Sequence, residues 1–513
     1  VSEIYTQSTE VKRMVVIMSV LAFALLFVAA MNYILNSVSS LPIRARSVGV
    51  HKCNGASSKD IFNMFLFETA ALFVVALVCM ALLLFAFREY VADMAAVPTL
   101  GTLLNAQTIW LPAIMILAIF ILSALLPARL FSVIPVTQVF RVSTSGKQGW
   151  KRSLLFIQFG GIAFVITLLV IVLLQYDRLM NNDLGYDPEN IVYAPLNNMD
   201  DQKTAKLTAE LKKLPYVMAT GLSSMDILSG YGGFPILDNE KNWLFTARQV
   251  NYNADYLSLM KIPLLEGQPL KGDGDILVNE SFVSKRGWTD GAIGKYIYDD
   301  EGNLKGKIVG VTRDFMVNSF FTPQLPVIMF GSDRMSYCNF TVRVSELTPE
   351  YLREMNDRIA ELFPDEDVGF TVLKTIIESQ YEGTRHFRDG VFVASIAILL
   401  ITLMGLLGYI TDEMHRRSKE IAIRKVNGAT APNILRLLSK DVLITAFPAI
   451  LLGVIASRVV GESWLRQFAD KISLTVFIFI STALLVLAII WGCVILKSWN
   501  IANENPVRSI KNE

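Results

Sequence analysis

Long apolar runs separated by short polar stretches, and by one very long one, dominate this chain. Seven of them approach or exceed the roughly 20 helical residues that cross a hydrocarbon core of about 30 Å. They are approximately Met14–Leu35, Met64–Phe87, Ile109–Phe131, Leu154–Leu174, Val391–Ile410, Val442–Val460 and Leu474–Leu496. None alternates as a barrel strand does, so helices are the spanning form that fits. The segment between the fourth and fifth runs, Gln175–Asp389, reads differently. Short β-patterned stretches are expected at Ile191–Leu196, Val217–Ser223, Ala247–Tyr252, Asp275–Val278, Lys307–Val311, Pro326–Phe330, Phe340–Val344 and Gly369–Leu373. Amphipathic helices fit Thr204–Leu214 and Pro349–Phe363, the latter with Thr348 as N-cap. The predicted fold class is an integral membrane α-helical protein with seven transmembrane helices and one large extracytoplasmic α+β domain.

Composition agrees: 53% of residues are hydrophobic and 18% charged, well to the apolar side of ordinary globular chains. The formal charge of +1 matters less than its placement. Arg44, Arg46, Lys52 and Lys59 follow the first span. Arg129, Arg141, Lys147, Lys151 and Arg152 lie between the third and fourth, and a dense group from Arg416 to Lys440 follows the fifth. Short loops rich in Lys and Arg stay in the cytoplasm. The C-terminal tail is then cytoplasmic, and the N-terminus and Gln175–Asp389 are outside. An outside N-terminus needs an export signal, and residues 1–13 are polar.

Self-comparison explains more. Arg46–Ile61 aligns without a gap to Lys419–Ile434, 373 residues on. Each copy follows one span and precedes another, and each unit ends in a Pro-Val tail, at Pro135-Val136 and Pro506-Val507. The expected organisation is an outer remnant (1–13), a first three-helix unit (14–141) and a cytoplasmic linker (142–153). A span leading outward (154–174), the outer domain (175–389) and a second three-helix unit with a cytoplasmic tail (390–513) complete it. The first unit lacks an outer domain, as expected of a chain that starts where such a domain would have ended.

The repeated loop resembles the signature of FtsX-like permeases, and Glu420-Ile-Ala-Ile-Arg-Lys-Val-Asn-Gly-Ala-Thr430 is the closer copy. The first copy departs at Ser47, His51 and Cys53. In the outer segment, Asn182–Asn190, Leu277–Glu280 and Lys307–Phe315 look like the MacB-like periplasmic core domain in the style of Bacteroidetes permeases. The resemblance implies a permease subunit of an ABC transporter in a bacterial inner membrane. It implies a separate ATPase as partner, a second permease copy or paired permease, and a periplasmic protein partner. In such families the outer domain moves with ATP binding, and the clients include exported molecules, lipoproteins and cell-envelope enzymes. No nucleic-acid partner is expected.

The loops can also be read from their residues. Asn54-Gly55 and Asn427-Gly428 are natural helix stops, with positive φ available at glycine. Ser57-x-x-Asp60 approximates a capping box, and Thr430 with Pro432 can open the next helix. The candidate ATPase-coupling residues are Arg46, Val48, Lys52, Asn54, Gly55 and Ala56 in the first copy. In the second they are Lys419, Glu420, Ile421, Ile423, Arg424, Lys425, Asn427, Gly428 and Ala429. Val48, Ile421 and Ile423 are expected to face the bundle or a partner. Basic loops also set topology and meet lipid headgroups, but that role does not require the same Asn-Gly-Ala at the same register.

Catalytic signals are thin. No Walker motif occurs, so ATP hydrolysis is left to a partner; the Gly-rich Leu228–Pro235 lacks the Lys-Ser/Thr ending. His51, His386 and His415 are far apart, and the four cysteines have no metal-ligand spacing, so neither metal nor cofactor is expected. Glu68 and Asp441 start the second and sixth spans, again 373 apart, and the span centres carry almost no charge. That favours helices that transmit movement. A membrane sensor or assembly scaffold without ATPase coupling is the alternative; co-purification with an ATPase separates the two.

Overall fold

A computed structural model describes residues 2–39, 41–94, 99, 101, 105, 109–132, 149–196, 201–228, 232–238, 240, 242–317, 324–332, 335, 338–364 and 368–502. For residues 2–15, 36, 38, 39, 41–43, 45, 46, 111, 126, 130, 131, 149, 150, 201, 415, 418, 419 and 500–502 it describes the backbone alone. The chain divides into two units. One holds Val1–Tyr176, Gly383–Gln467 and Ile472–Glu513; the other holds Asp177–Glu382 and Phe468–Lys471.

Among the described residues, seven helices, lying wholly or mainly in the first unit, are long and apolar enough to cross a membrane: Val16–Leu35, Ser58–Ala86, Pro112–Arg129, Lys151–Asn181, Glu382–Met414, Ala431–Leu465 and Val476–Trp499. Each coincides with an apolar run of the sequence. Short helices, Leu41–Cys53 and Ser418–Val426, sit between the first and second and between the fifth and sixth spans. Pro448 lies inside the sixth helix without ending it. The fourth span is the hub of this unit. Leu155, Phe159, Ile162, Ala163, Leu168, Ile171 and Val172 on it are almost fully buried. It crosses the sixth span closely: a Cβ on Gly453 would fall 2.2 Å from the Gly160 carbonyl oxygen. Only glycine permits that approach. Higher up, Thr167 donates to Thr482 at 3.2 Å, and the Gln175 side chain accepts the Ile472 N–H at 3.0 Å.

The other unit is a mixed α/β domain. Its strands are β1 (Ile191–Leu196), β2 (Val217–Ser223), β3 (Gly232–Leu237), β4 (Trp243–Tyr252), β5 (Leu264–Gly267), β6 (Asp275–Asn279), β7 (Tyr296–Tyr298), β8 (Leu304–Thr312), β9 (Val327–Gly331), β10 (Cys338–Val344) and β11 (Thr371–Val372). The sheet order is β11-β1-β10-β2-β4-β9-β6-β8-β5, with β3 on β4 and β7 on β8. It carries two cores. Val192, Leu207, Leu211, Phe340, Val342 and Ile359 belong to one; Phe245, Ile276, Phe282, Ile308 and Ile328 belong to the other. The strands between them, β2 and β4, pair only at Ser223 and Tyr252. This unit therefore has two lobes.

The sequence motifs of this domain prove to be structural. Gly185 has φ of 74°, and a Cβ there would meet the Asp314 carbonyl at 2.5 Å. Asn279 caps the helix Glu280–Arg286: its side-chain oxygen accepts the Phe282 N–H at 3.0 Å and the Val327 N–H at 2.8 Å. Asp314 accepts from the Ser281 amide and hydroxyl. Thr348 caps Pro349–Leu362 as expected, accepting from Tyr351 at 3.2 Å. Arg343, buried on β10, donates to the carbonyls of Leu259, Asp187 and Glu189 and to the Asp187 carboxylate. It ties the entry segment to β10 and to the short helix Tyr256–Met260. Strands β3 and β5 were absent from the sequence reading, because Gly-Gly-Phe-Pro and Leu-Leu-Glu-Gly carry no alternating pattern. Gly369–Leu373, expected as one strand, is the two-residue β11, and Leu373 already opens the helix Leu373–Gln380.

Candidate functional site: paired cytoplasmic turns

The two repeated loops fold alike to the level of single hydrogen bonds. In the first, the Gly55 amide donates to Lys52 at 3.1 Å and the Ala56 amide to His51 at 3.0 Å. In the second, Gly428 donates to Lys425 at 3.0 Å and Ala429 to Arg424 at 2.9 Å. Each is a Schellman closure, which satisfies the last carbonyls of a helix and needs a left-handed residue after the cap. Gly55 and Gly428 supply it with φ of 94° and 88°. Basic residues fill both last turns, His51 and Lys52 or Arg424 and Lys425, where they complement the negative helix end.

Entry into the following span differs. Ser57 and Asp60 form the expected capping box: the Ser57 hydroxyl accepts the Asp60 N–H at 3.3 Å, and the Asp60 carboxylate accepts the Ser57 N–H at 2.8 Å. Thr430 occupies the N-cap position with extended backbone, yet its side chain makes no cap hydrogen bond. Pro432 sits in that first turn and takes away one amide that would need a cap.

Each short helix has an inner and an outer face at matching positions. Val48 is 0% exposed, packed with Ile61, Phe65 and Ala128; its counterpart Ile421 is 4% exposed. Two residues on, Val50 and Ile423 are 58% and 60% exposed. Val426 and its counterpart Cys53 are exposed as well. A side chain on Gly55 or Gly428 would meet nothing within 4 Å, so the outer surface of both turns is open. The arrangement offers an apolar pair ringed by basic residues and backed by a rigid turn.

The candidate residues separate accordingly. Val48 and Ile421 face the bundle, whereas Ile423 faces outward with Asn54, Gly55, Asn427 and Gly428. Ala56 and Ala429 are half-buried amide donors of the closures. Lys52 donates to the Ser132 carbonyl at 2.9 Å, tying the turn to the cytoplasmic end of the third span's helix. Glu420 pairs with Arg424 at 2.7 Å along its own helix, and Lys425 is half-buried. The side chains of Arg46 and Lys419 lie outside the described residues. Sequence reasoning missed Val50 and Val426 as outward apolar residues. It also missed what Glu68 and Asp441 do: Arg44 pairs with Glu68 at 2.7 Å and Arg417 pairs with Asp441. The 373-residue register held the signal, because Arg44 and Arg417 share it too. Burial works against the charge of Arg417, but the Glu413 and Asp441 carboxylates more than offset it and hold its guanidinium above the usual range.

Two membrane repeats with matched turns, and a large α/β domain inserted between the first repeat and the second, define the class as a polytopic membrane protein with one large inserted domain. Residues 19–136 and 392–506 match the profile of the FtsX-like permease C-terminal family. Both membrane repeats thus resemble the FtsX-like permease C-terminal family, over segments that together make up a little under half of the chain. No curated protein matches the sequence. Solved structures similar to the outer domain include the periplasmic region of MacB from Actinobacillus actinomycetemcomitans, at 13% identity and TM-score 0.29, covering 40% of this chain and 97% of that one. A domain of a putative permease protein from Porphyromonas gingivalis follows at 15% and 0.28, covering 37% and 98%. The extracellular domain of the noncanonic ABC-type transporter YknZ from Gram-positive bacteria is similar at 12% and 0.25, covering 35% and 98%. At such identities and scores the resemblance to FtsX-like permeases rests on the two membrane segments alone.

Proposed function

We propose that this permease converts the motion of a separate cytoplasmic ATPase into movement of its outer domain, which acts on a client outside the inner membrane. The turns at Asn54-Gly55 and Asn427-Gly428 receive the ATPase; the succession of fourth span, outer domain and fifth span carries the displacement outward. One observation supports this reading above others: the same closed turn occurs twice, each presenting an outward apolar residue, Val50 or Ile423, at the same exposure. Topology and lipid contact need charge there, not an apolar pair on a fixed turn. In this reading the domain bounds are those drawn from the sequence, with the C-terminus cytoplasmic. The functional assembly contains a second permease copy or a paired permease.

Replacing Gly428 with Val tests the reading. A β-branched residue in the left-handed region costs on the order of 1–2 kcal/mol, so the turn opens locally while the spans persist. The expected outcome is an ATPase that co-purifies with the parent chain and is lost from the variant. An ATPase retained at parent stoichiometry sinks the docking role.

A further inference from the structure

The outer domain holds an open cleft of about 620 Å³ where its two lobes part, within the size range of ligand sites. On one side stands the helix Asp201–Leu211, which buries Leu207 and Leu211 completely. Its flank turns Thr204, Thr208 and, just past its end, Lys212 toward the cleft, each one helical turn after the last. On the other side are Asn253 and Asp255, where the chain leaves β4, and Asp273, in the loop before β6. β2 forms the floor, at Thr220–Leu222.

That floor is an unfinished sheet edge. β2 pairs along its length with β10, but with β4 only at Ser223 and Tyr252. Leu222 shows which backbone groups look toward the missing strand. Its N–H donates to the Asn253 side-chain oxygen at 2.9 Å, and its carbonyl accepts the Asn253 N–H at 3.1 Å. Backbone groups alternate along a strand, so Thr220 turns its N–H and C=O to the same side. Among the described residues no group meets them there. Met218, 68% exposed, follows at a bulge where β2 carries one residue more than β10. An open edge of this kind is a template for another extended chain. The walls add charge of both signs. Asp255 stands at the N-cap position of Tyr256–Met260 without making a cap hydrogen bond. Asp255, Asp273 and Lys212 are all exposed, and none is ion-paired among the described residues.

We infer that this cleft binds an extended segment of polypeptide, which adds to the free edge of β2 with a basic side chain toward Asp255 and Asp273 and an acidic one toward Lys212. A carbohydrate could use the hydroxyls of Thr204 and Thr208, but it offers no regularly spaced amide and carbonyl to match Thr220. At about 3.4 Å per residue, Met218–Leu222 gives an edge of roughly 14 Å, enough for four or five residues of a guest strand. That the guest is a client of the permease rests on the proposed function; the binding itself needs no ATPase.

The test uses the full chain in lipid nanodiscs and a fluorescein-labelled peptide, Thr-Lys-Val-Thr-Val-Glu-Thr, which alternates β-formers and carries one charge of each sign. Fluorescence anisotropy should show saturable binding. Methylating the amides along one edge of the extended peptide should weaken it about tenfold, through lost backbone hydrogen bonds, and methylating the other edge should not. Asp255→Asn with Asp273→Asn should weaken it about fivefold, as exposed ion pairs do. Hydrogen exchange locates the site without variants: saturating peptide should slow uptake severalfold in residues 217–222 and leave 296–312 unchanged. No binding at millimolar peptide, equal effects from methylating either edge, or protection confined to other residues overturns the inference. So does chitotetraose protecting 217–222 where the peptide does not, which would make the cleft a carbohydrate site. Gly428→Val should leave the anisotropy curve unchanged. An ATPase retained by that variant defeats the docking role and leaves the peptide site standing; an ATPase lost from it while the parent chain binds no peptide does the reverse.

Discussion

Set side by side, the two membrane repeats agree at the cytoplasmic surface and diverge behind it. Their turns share backbone hydrogen bonds, glycine conformation, an inward Val48 or Ile421 and an outward Val50 or Ile423. Behind the first turn, Arg44 and Glu68 form one half-exposed pair, with Arg44 also over the Phe65 ring. Behind the second, Arg152, Arg417, Glu413, Arg416 and Asp441 form a connected group next to the Lys151–Asp412 pair. The sixth span is closely packed where the second is not: Gly453 and Ala449 are buried against the fourth span, while Met80 and Ala76 at the same register are exposed. The two repeats thus share the surface of the turn and differ in the framework behind it.

The largest effect that separates the repeats should come from removing one partner of a buried pair. Asp412→Ala removes the carboxylate paired with the Lys151 ammonium, which is only 12% exposed. Breaking such a pair costs about 3 kcal/mol. Glu68→Ala removes a partner of an arginine that is 40% exposed, and such pairs contribute at most about 1 kcal/mol. Thermal stability of the two variants in detergent should fall in that order. Equal losses would erase the distinction drawn here.

Packing gives the next effect. Gly453→Leu forces a side chain against the Gly160 carbonyl, a backbone group that cannot rotate away. Overpacking at such crossings costs about 1–3 kcal/mol, whereas Met80→Leu, at an exposed position, should stay within about 0.5 kcal/mol. Glycine at the turns gives a smaller and more even effect. Gly55→Val and Gly428→Val should cost the same, about 1–2 kcal/mol each, because φ is alike and neither Cβ meets a neighbour. ATPase turnover in the assembled transporter should nevertheless fall further with Gly428→Val. Identical turnover in both would mean that the asymmetry of the framework has no functional consequence.

Much of this was legible in the sequence, for physical reasons that differ by region. The spans announce themselves because lipid demands some 20 apolar residues without interruption. The turns were readable because a helix closure with positive φ tolerates few residues besides glycine, and the repeat displays Asn54-Gly55 and Asn427-Gly428 together. The ion-pair group was hidden. Lys151, Asp412 and Asp441 lie on three different helices, and no periodicity within one helix reveals what stands opposite it. Likewise β3 and β5 were lost because their strand character comes from pairing with β4 and β8, not from their own Gly- and Pro-containing residues. The split between β2 and β4 is a property of register and could only be seen in the folded sheet.

The smallest perturbation uses a natural substitution between the copies: Cys53 stands where the second turn has Val426. Cys53 is exposed at the tip of the first short helix. Cys79 is exposed too, but it lies in the middle of the second span, where a charged maleimide does not reach. Cys338 is buried in β10, and burial pushes its thiol up to about 11. At pH 7.5 it is therefore neutral and enclosed, and it should not react, since the thiolate is the nucleophile. A membrane-impermeant maleimide added to the permease in nanodiscs should label Cys53 first and leave Cys338 unmodified. Bound ATPase should slow Cys53 labelling several-fold if the first turn is occupied as well as the second. If labelling proceeds at the free rate with ATPase bound, the partner engages the second turn alone. The two repeats would then differ in the docking itself and not only in the framework behind it.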